Sequence, residues 1–290
     1  MSDPDRTLTI RRILVALDAS SHSLAAVEAA VELAARLEAE LLGLFVEDIE
    51  LLRLADSPYA RELLYPSAKE VPLSRASMEA KLRAQSEQAR KALVASAERS
   101  QVRCSFRIVR GEVTSEILAA ASEADLLALG RIGWSFGSQV RMGSTALEVA
   151  TSAIPVLLVS EQGVPPDVRL VVHYDGSAAA RRGLLTAAQL TRPGKGGITV
   201  LLAAANRQRA SMMQDEVNPL LEGKGIAVRY REIDPQDEMS LFRALKAEKP
   251  GILVLGGRES LRKSQSIEVL LREIEMPLLL LGDGSEPEAE

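Results

Sequence analysis

Short apolar runs alternate along this chain with longer stretches in which apolar residues recur every three or four positions. Ile13–Leu17, Leu41–Val46, Leu126–Leu129 and Val156–Val159 are almost wholly apolar, as strands buried on both faces of a parallel sheet are. Ser23–Glu38 places Leu24, Val27, Val31 and Leu37 among alanines, a helical spacing. Ser77–Ser100, rich in Ala, Glu, Lys, Arg and Gln, reads as a long helix. Val102–Val109 alternates, with Val102, Cys104, Phe106 and Ile108 on one face of a strand. Thr114 is placed as the N-cap of a helix reaching Glu123, and Ser144–Thr151 as a short helix. Strands separated by helices predict an α/β fold, with a parallel sheet covered on both faces and right-handed crossovers.

The pattern occurs twice. Ile13-Leu-Val-Ala-Leu-Asp18-Ala-Ser20 is echoed by Leu170-Val-Val-His-Tyr-Asp175-Gly-Ser177, and both lead into an Ala/Leu-rich helical stretch. Leu126–Gly130 is echoed by Ile252–Gly256, and Pro155–Val159 by Pro277–Leu281. Three landmarks repeated in one order argue for tandem duplication. Thr199–Ala204 and Ala227–Ile233 supply the second and third strands of the later copy, and Asp237–Glu248 a helix. From Asp18 to Gly130 is 112 positions, and from Asp175 to Gly256 only 81, so the later copy is shorter in its middle. Ser160–Asp167, with Gly163, Pro165 and Pro166, reads as the linker. The domains expected are residues 8–160 and 168–282, followed by an acidic, disordered tail over Gly282–Glu290.

Composition narrows the function classes. A chain of 290 residues favours two domains, and 47% hydrophobic residues are enough for sizeable cores. Lys and Arg number 35 against 40 Asp and Glu, a formal charge of −5, which removes the electrostatic case for a broad nucleic-acid face. One Cys and two distant His exclude a disulfide and make a Cys- or His-built metal site improbable. No apolar run approaches the ~18 residues of a membrane span. The polar, acidic start Met1–Arg6 is unlike a secretory signal. The expectation is a soluble cytoplasmic protein.

The chemistry concentrates after the fourth strand, in Gly130-Arg-Ile-Gly133-Trp-Ser-Phe-Gly-Ser-Gln-Val-Arg-Met-Gly143-Ser144-Thr145. Glycines lie directly after a strand and directly before a helix. They let a backbone approach a ligand closely, and free N–H groups at a helix start favour an anion. Ser144 and Thr145 add hydroxyls. The segment suits phosphate, yet it is neither a Walker A loop nor a dinucleotide fingerprint.

This segment closely resembles the universal stress protein family, whose ATP-binding subgroup carries Gly, two residues, Gly, nine residues, Gly, then Ser or Thr. Gly130, Gly133, Gly143 and Ser144 match in full, Asp18 matches the Asp ending the family's first strand, and Pro155-Val156 matches a later landmark. The resemblance implies two Rossmann-like five-stranded parallel-sheet domains in tandem, of the adenine nucleotide alpha hydrolase-like type, with strand order 3-2-1-4-5. It further implies a stress-response regulator holding ATP, with or without Mg²⁺, in its first copy. Gly130, Gly133, Gly143, Ser144 and Thr145 would then hold ribose and phosphates, and Asp18 would face the ribose or a phosphate-bound Mg²⁺. The Val46 backbone would read adenine, and Ala16, Leu17 and Leu129 would form the apolar wall. Arg131 and Arg141 fall at variable positions, where phosphate contact is a guess. Family members commonly dimerise through fifth-strand edges. Here Val156–Val159 and Leu278–Leu281 invite an intramolecular pseudo-dimer, with a further homodimer open. The later copy lacks the spaced glycines, which points to a structural or partner-binding half.

Plainer readings stand beside these. Asp18 is of a type that caps the following helix, and Gly130 and Gly143 could merely punctuate element ends. Cys104 reads as a buried, inert thiol, Tyr174 as packing, and Leu54–Pro72 as a surface connection after the second strand. Trp134 and Phe136 sit in the glycine segment with three open roles: over the nucleotide, against the other copy, or on an unidentified protein partner. Two rival functions remain. One is a slow ATPase or phosphotransferase, for which Asp18 is the evident candidate and no Lys or His accompanies it. The other is a ligand-free interaction scaffold.

Overall fold

The computed structural model describes residues 9–18, 20–64, 69–131, 144–150, 152, 154–164, 169–248, 251–257, 274 and 276–282. The first half of the chain supplies β1 (Arg12–Leu17), α1 (Ser21–Leu37), β2 (Glu40–Asp48), α2 (Ile49–Ala55), a hairpin of β3 (Arg61–Leu64) and β4 (Lys69–Pro72), α3 (Arg75–Arg99), β5 (Cys104–Gly111), α4 (Val113–Ala121), β6 (Leu126–Gly130), α5 (Ser144–Ala150) and β7 (Val156–Val159). The second half supplies β8 (Arg169–Tyr174), α6 (Ala178–Leu190), β9 (Gly197–Ala203), α7 (Arg207–Leu221), β10 (Ala227–Ile233), α8 (Glu238–Ala247), β11 (Gly251–Leu255) and β12 (Leu278–Leu280).

Among the described residues, ten strands form one sheet in the order β10-β9-β8-β11-β12-β7-β6-β1-β2-β5. With the small hairpin set aside, each half runs 3-2-1-4-5, and every neighbouring pair is parallel except β7 with β12. The central strands are buried on both faces, which is why they read as unbroken apolar runs. One core carries Ile13, Val15 and Leu17 under α1 and α3, and continues into Leu170, Val172 and Leu184. The opposite core carries Leu14, Leu127 and Ile117, and continues into Val171, Leu253 and Phe242.

The seam has a reciprocal register. Leu158 faces Leu278, Leu157 faces Leu279, and Val156 faces Leu280. Val156 is the counterpart of Leu278, since each lies beside the residue three positions before its half's strand-end glycine, Leu127 or Leu253. A local two-fold therefore passes between Leu157 and Leu279, the arrangement of an isologous interface. Arg36 adds a second link, its guanidinium donating to the Leu190 carbonyl at the end of α6 at 2.8 Å, where a cation meets the negative end of a helix.

Both halves turn from first strand to first helix by the same device. Asp18 Oδ1 accepts from the Ser20 amide at 3.0 Å, and Ser20 Oγ accepts from the Ser23 amide at 3.1 Å. Asp175 and Ser177 repeat this at 2.9 and 3.1 Å. Just beyond, the helix crosses the fourth strand's end at close range. A Cβ on Gly130 would lie 2.8 Å from His22 Cβ and 2.9 Å from its carbonyl carbon, and one on Gly256 would collide with the Ala179 carbonyl.

Several expectations are corrected. The cap of α4 is Glu112, not Thr114: its carboxylate accepts from the Thr114 and Ser115 amides at 3.1 and 2.7 Å. Leu54–Pro72 is more than a connection, since it holds the end of α2 and the β3–β4 hairpin. Cys104 is only partly buried, although burial and the nearby Glu98 push its thiol up and so leave it unreactive. Ile108 is half exposed on edge strand β5. That edge is blunted by Arg107 and Arg110, paired with Glu123 at 3.0 Å and Glu47 at 2.7 Å. The end of the linker and the tail beyond Gly282 lie outside the described residues. Among the described residues, no helix is long and apolar enough to cross a membrane.

The seam yields a quantitative expectation. Leu279→Ala should lower the unfolding free energy in urea by about 2–5 kcal/mol, the range for a buried leucine. Adding Leu157→Ala should cost less than the two single changes together, by about 0.5–3 kcal/mol, because the side chains share one contact. Strictly additive losses would mean that the two leucines do not support each other.

Candidate functional site

β1 and β6 are neighbours whose outgoing connections diverge. α1 leads toward β2 on one side, while α5 leads toward β7 on the other. Such a divergence opens a crevice at the carboxyl ends of the strands. A cavity of about 430 Å³ lies there. Ala16, Leu17, Asp18, Val46, Leu129, Gly130 and Thr145, all named from sequence, line it. Gly133 and Gly143 lie outside the described residues, as do Arg141, Trp134 and Phe136; Ser144 opens α5.

Arg131 is a correction. It does not line the cavity: its side chain is buried, 8% exposed, and its guanidinium donates to the Ile274 carbonyl and, at 3.5 Å, to that of Met276. Those carbonyls lie just ahead of β12, so this arginine ties the strand-end of the first half to the second half.

The remaining lining comes from residues that sequence reasoning missed. Leu44 and Phe45 of β2, Leu51 of α2, Leu82 and Gln85 of α3, and Ile117 of α4 give it an apolar interior with one amide. Asp48, Glu50, Glu112 and Glu148 join Asp18 as carboxylates. Two of these were findable. Asp48 and Glu112 each stand where a strand gives way to a helix, and Asp or Glu there is a cap signal. Because the strands are parallel, all such caps gather on one edge of the sheet. The contribution of α3 had no local signal, since its inward face is set only by tertiary packing.

The electrostatics follow from those caps. Asp48 Oδ1 accepts from the Glu50 amide at 2.8 Å. The Ser115 hydroxyl and the amides of Ser115 and Thr114 hold the Glu112 carboxyl below the usual carboxylate range. Thr114 Oγ1 lies 3.2 Å from Thr145 Oγ1, joining the starts of α4 and α5. No lysine, arginine or histidine lines the cavity among the described residues. The arrangement therefore offers an apolar slot, the hydroxyls of Thr114 and Thr145 beside it, and carboxylates of which Asp18, Asp48 and Glu112 are engaged by backbone amides at helix starts. Among the described residues, no group of three or more His, Cys, Asp or Glu could hold a metal ion.

The second half keeps the turn but changes the wall. His173 faces Leu201 as Ala16 faces Leu44, and Tyr174 stands where Leu17 does. Both are buried, at 6% and 2% exposure. Burial lowers the His173 pKa, opposed by Asp175, and the buried His173 Nδ1 has no hydrogen-bond partner. Tyr174 donates its hydroxyl to Glu216 Oε2 at 3.4 Å.

The family model of the universal stress proteins matches residues 9–160. Among solved structures, a universal stress protein from Archaeoglobus fulgidus is 16% identical, with a TM-score of 0.67 over 94% of this chain and 98% of that one. At that identity it shows the fold. A family protein from Burkholderia pseudomallei is 26% identical, with a TM-score of 0.35 over 53% of this chain and 98% of that one. A universal stress protein in complex with cAMP is 25% identical, with a TM-score of 0.32 over the same shares. No curated protein matches in sequence. With the family model spanning more than half of its length, β1 through β7, the chain belongs to the universal stress protein family.

Proposed function

We propose that this chain is a cytoplasmic regulatory protein of the stress response that binds ATP in the cleft of its first half. One observation carries the reading: residues named from the glycine and aspartate motifs converge, with Val46 of a different strand, on one cavity at the switch point of the sheet. The base would lie in the slot against Val46. The phosphates would meet the glycine segment and Thr145. Because the lining lacks a cationic side chain among the described residues, phosphate charge falls to backbone N–H groups and to a Mg²⁺ arriving on phosphate oxygens. Asp18, just past the end of the strand beside that of Gly130, is the carboxylate that would meet it.

In this reading residues 8–160 and 168–282 are two domains of one kind. The second carries His173 and Tyr174 where the first has Ala16 and Leu17 and serves as scaffold or partner surface. Occupancy of the first cleft then regulates by binding more tightly to one conformation than another. The fifth-strand edge is consumed within the chain, so a homodimer would need another surface.

Calorimetric titration with ATP and Mg²⁺ should give one site per chain; two sites would remove the reading of the second half as scaffold, and none would remove the nucleotide reading. Asp18→Asn keeps the turn-forming oxygen, so thermal stability should hold while affinity for ATP with Mg²⁺ falls about tenfold. Unchanged affinity would confine Asp18 to its turn.

His173 gives a pH expectation. Its folded pKa lies below the ordinary value of about 6.5, so below that pH the unfolded chain takes up a proton that the folded chain resists. Stability should therefore fall as pH drops from about 7 toward 5. His173→Leu should flatten the fall in urea unfolding measured across that range; an unchanged slope would exclude His173 as its source.

A further inference from the structure

We propose that Gln85 of α3 sets the base preference of the first-half cleft, selecting adenine over guanine; this rests on the nucleotide reading above. Gln85 lines the cavity and is partly buried. It shares the inward face of α3, one turn from the buried Leu82 and Ala89. Among the described residues its amide has no hydrogen-bond partner. On the wall of an otherwise apolar slot, this amide is a directional group that can read the polar edge of a ligand.

Its height on the helix places it opposite the right stretch of backbone. Leu93 packs against Gly43 of β2, where a Cβ would meet its Cδ2. Eight residues back along α3 is a rise of about 12 Å. At about 3.3 Å per residue, that distance along β2 reaches from Gly43 to about Val46 or Glu47. β2 also outruns its neighbour: its pairing with β1 ends at Leu17–Phe45, while its pairing with β5 continues to Asp48. The β1-side edge of the Val46 backbone therefore opens toward the cleft, at about the height of Gln85 on α3.

The chemistry then discriminates. An amide offers one acceptor and one donor side by side. With its N6–N7 edge turned to Gln85, adenine presents an amino donor next to an acceptor, and a glutamine pairs with both at once. Guanine presents two acceptors, O6 and N7, on the corresponding edge, so one of the two contacts is lost or repulsive. The carboxylates of the cleft accept only and cannot supply this pairing.

Competition calorimetry with ATP and GTP at fixed Mg²⁺, on the full chain, tests it. The unmodified chain should prefer ATP by about tenfold or more. Gln85→Leu should weaken ATP binding about tenfold, leave GTP nearly unchanged and so collapse the ratio. Gln85→Glu keeps an acceptor for N6 but offers no donor to N7 or O6, and so should weaken ATP binding without improving that of GTP. Gln85→Asn keeps the amide but shortens its reach; with thermal unfolding unchanged, it should also lose the preference, which separates base reading from packing. An ATP-to-GTP ratio identical in the unmodified chain and the Leu variant would overturn the role of Gln85 and leave the nucleotide reading standing. A chain that binds neither nucleotide would overturn both.

Discussion

The antiparallel pairing of β7 with β12 is the constraint on which the rest of this molecule depends. A five-stranded half on its own would end in an exposed apolar strand, Val156–Val159 or Leu278–Leu280, and such an edge templates aggregation. Joining the two abolishes both edges and lets the cores run through the seam on each face. The strands left at the rims, β5 and β10, alternate charged with apolar residues, as edges that face water do. The reciprocal register also fixes the two switch points symmetrically about one axis. Arg36 and Arg131 then fasten one half to the other away from that axis.

Within the first half, the cleft is a by-product of parallel connectivity. Every strand there ends on the same side, and each following helix must be capped there. Asp18, Asp48 and Glu112 serve those caps with oxygens that accept from backbone amides. The acids that a surface map would show as a repulsive ring are thus partly absorbed by the helix starts they face.

Much of this was legible in the sequence, for definite reasons. The buried strands announced themselves because burial on both faces leaves no polar position to blur the run. The duplicated Asp-x-Ser turn was visible because it is a local hydrogen-bonded device with fixed spacing. The β3–β4 hairpin was not legible: its strands are four residues each, too short for periodicity, and Pro72 argues against strand. Arg131 was misplaced because adjacency to Gly130 in sequence says nothing of which way a strand-end side chain turns. Tyr174 was seen as a packing residue, and His173 as one position of the same strand. That they occupy the wall where the first half has Ala16 and Leu17 emerges only from the register. Gln85 lay hidden in a helix whose polar residues all look alike until its inward face is known.

The tight crossing of α1 over Gly130, repeated by α6 over Gly256, separates two kinds of glycine within one motif. A side chain at either position would drive into helix backbone whether or not any ligand is present. The second half keeps that glycine while its sequence lacks the two later ones at the family spacing. The first glycine of the motif is therefore a record of architecture, preserved by any descendant that folds. Relatives sorted by that glycine alone would be grouped by shape.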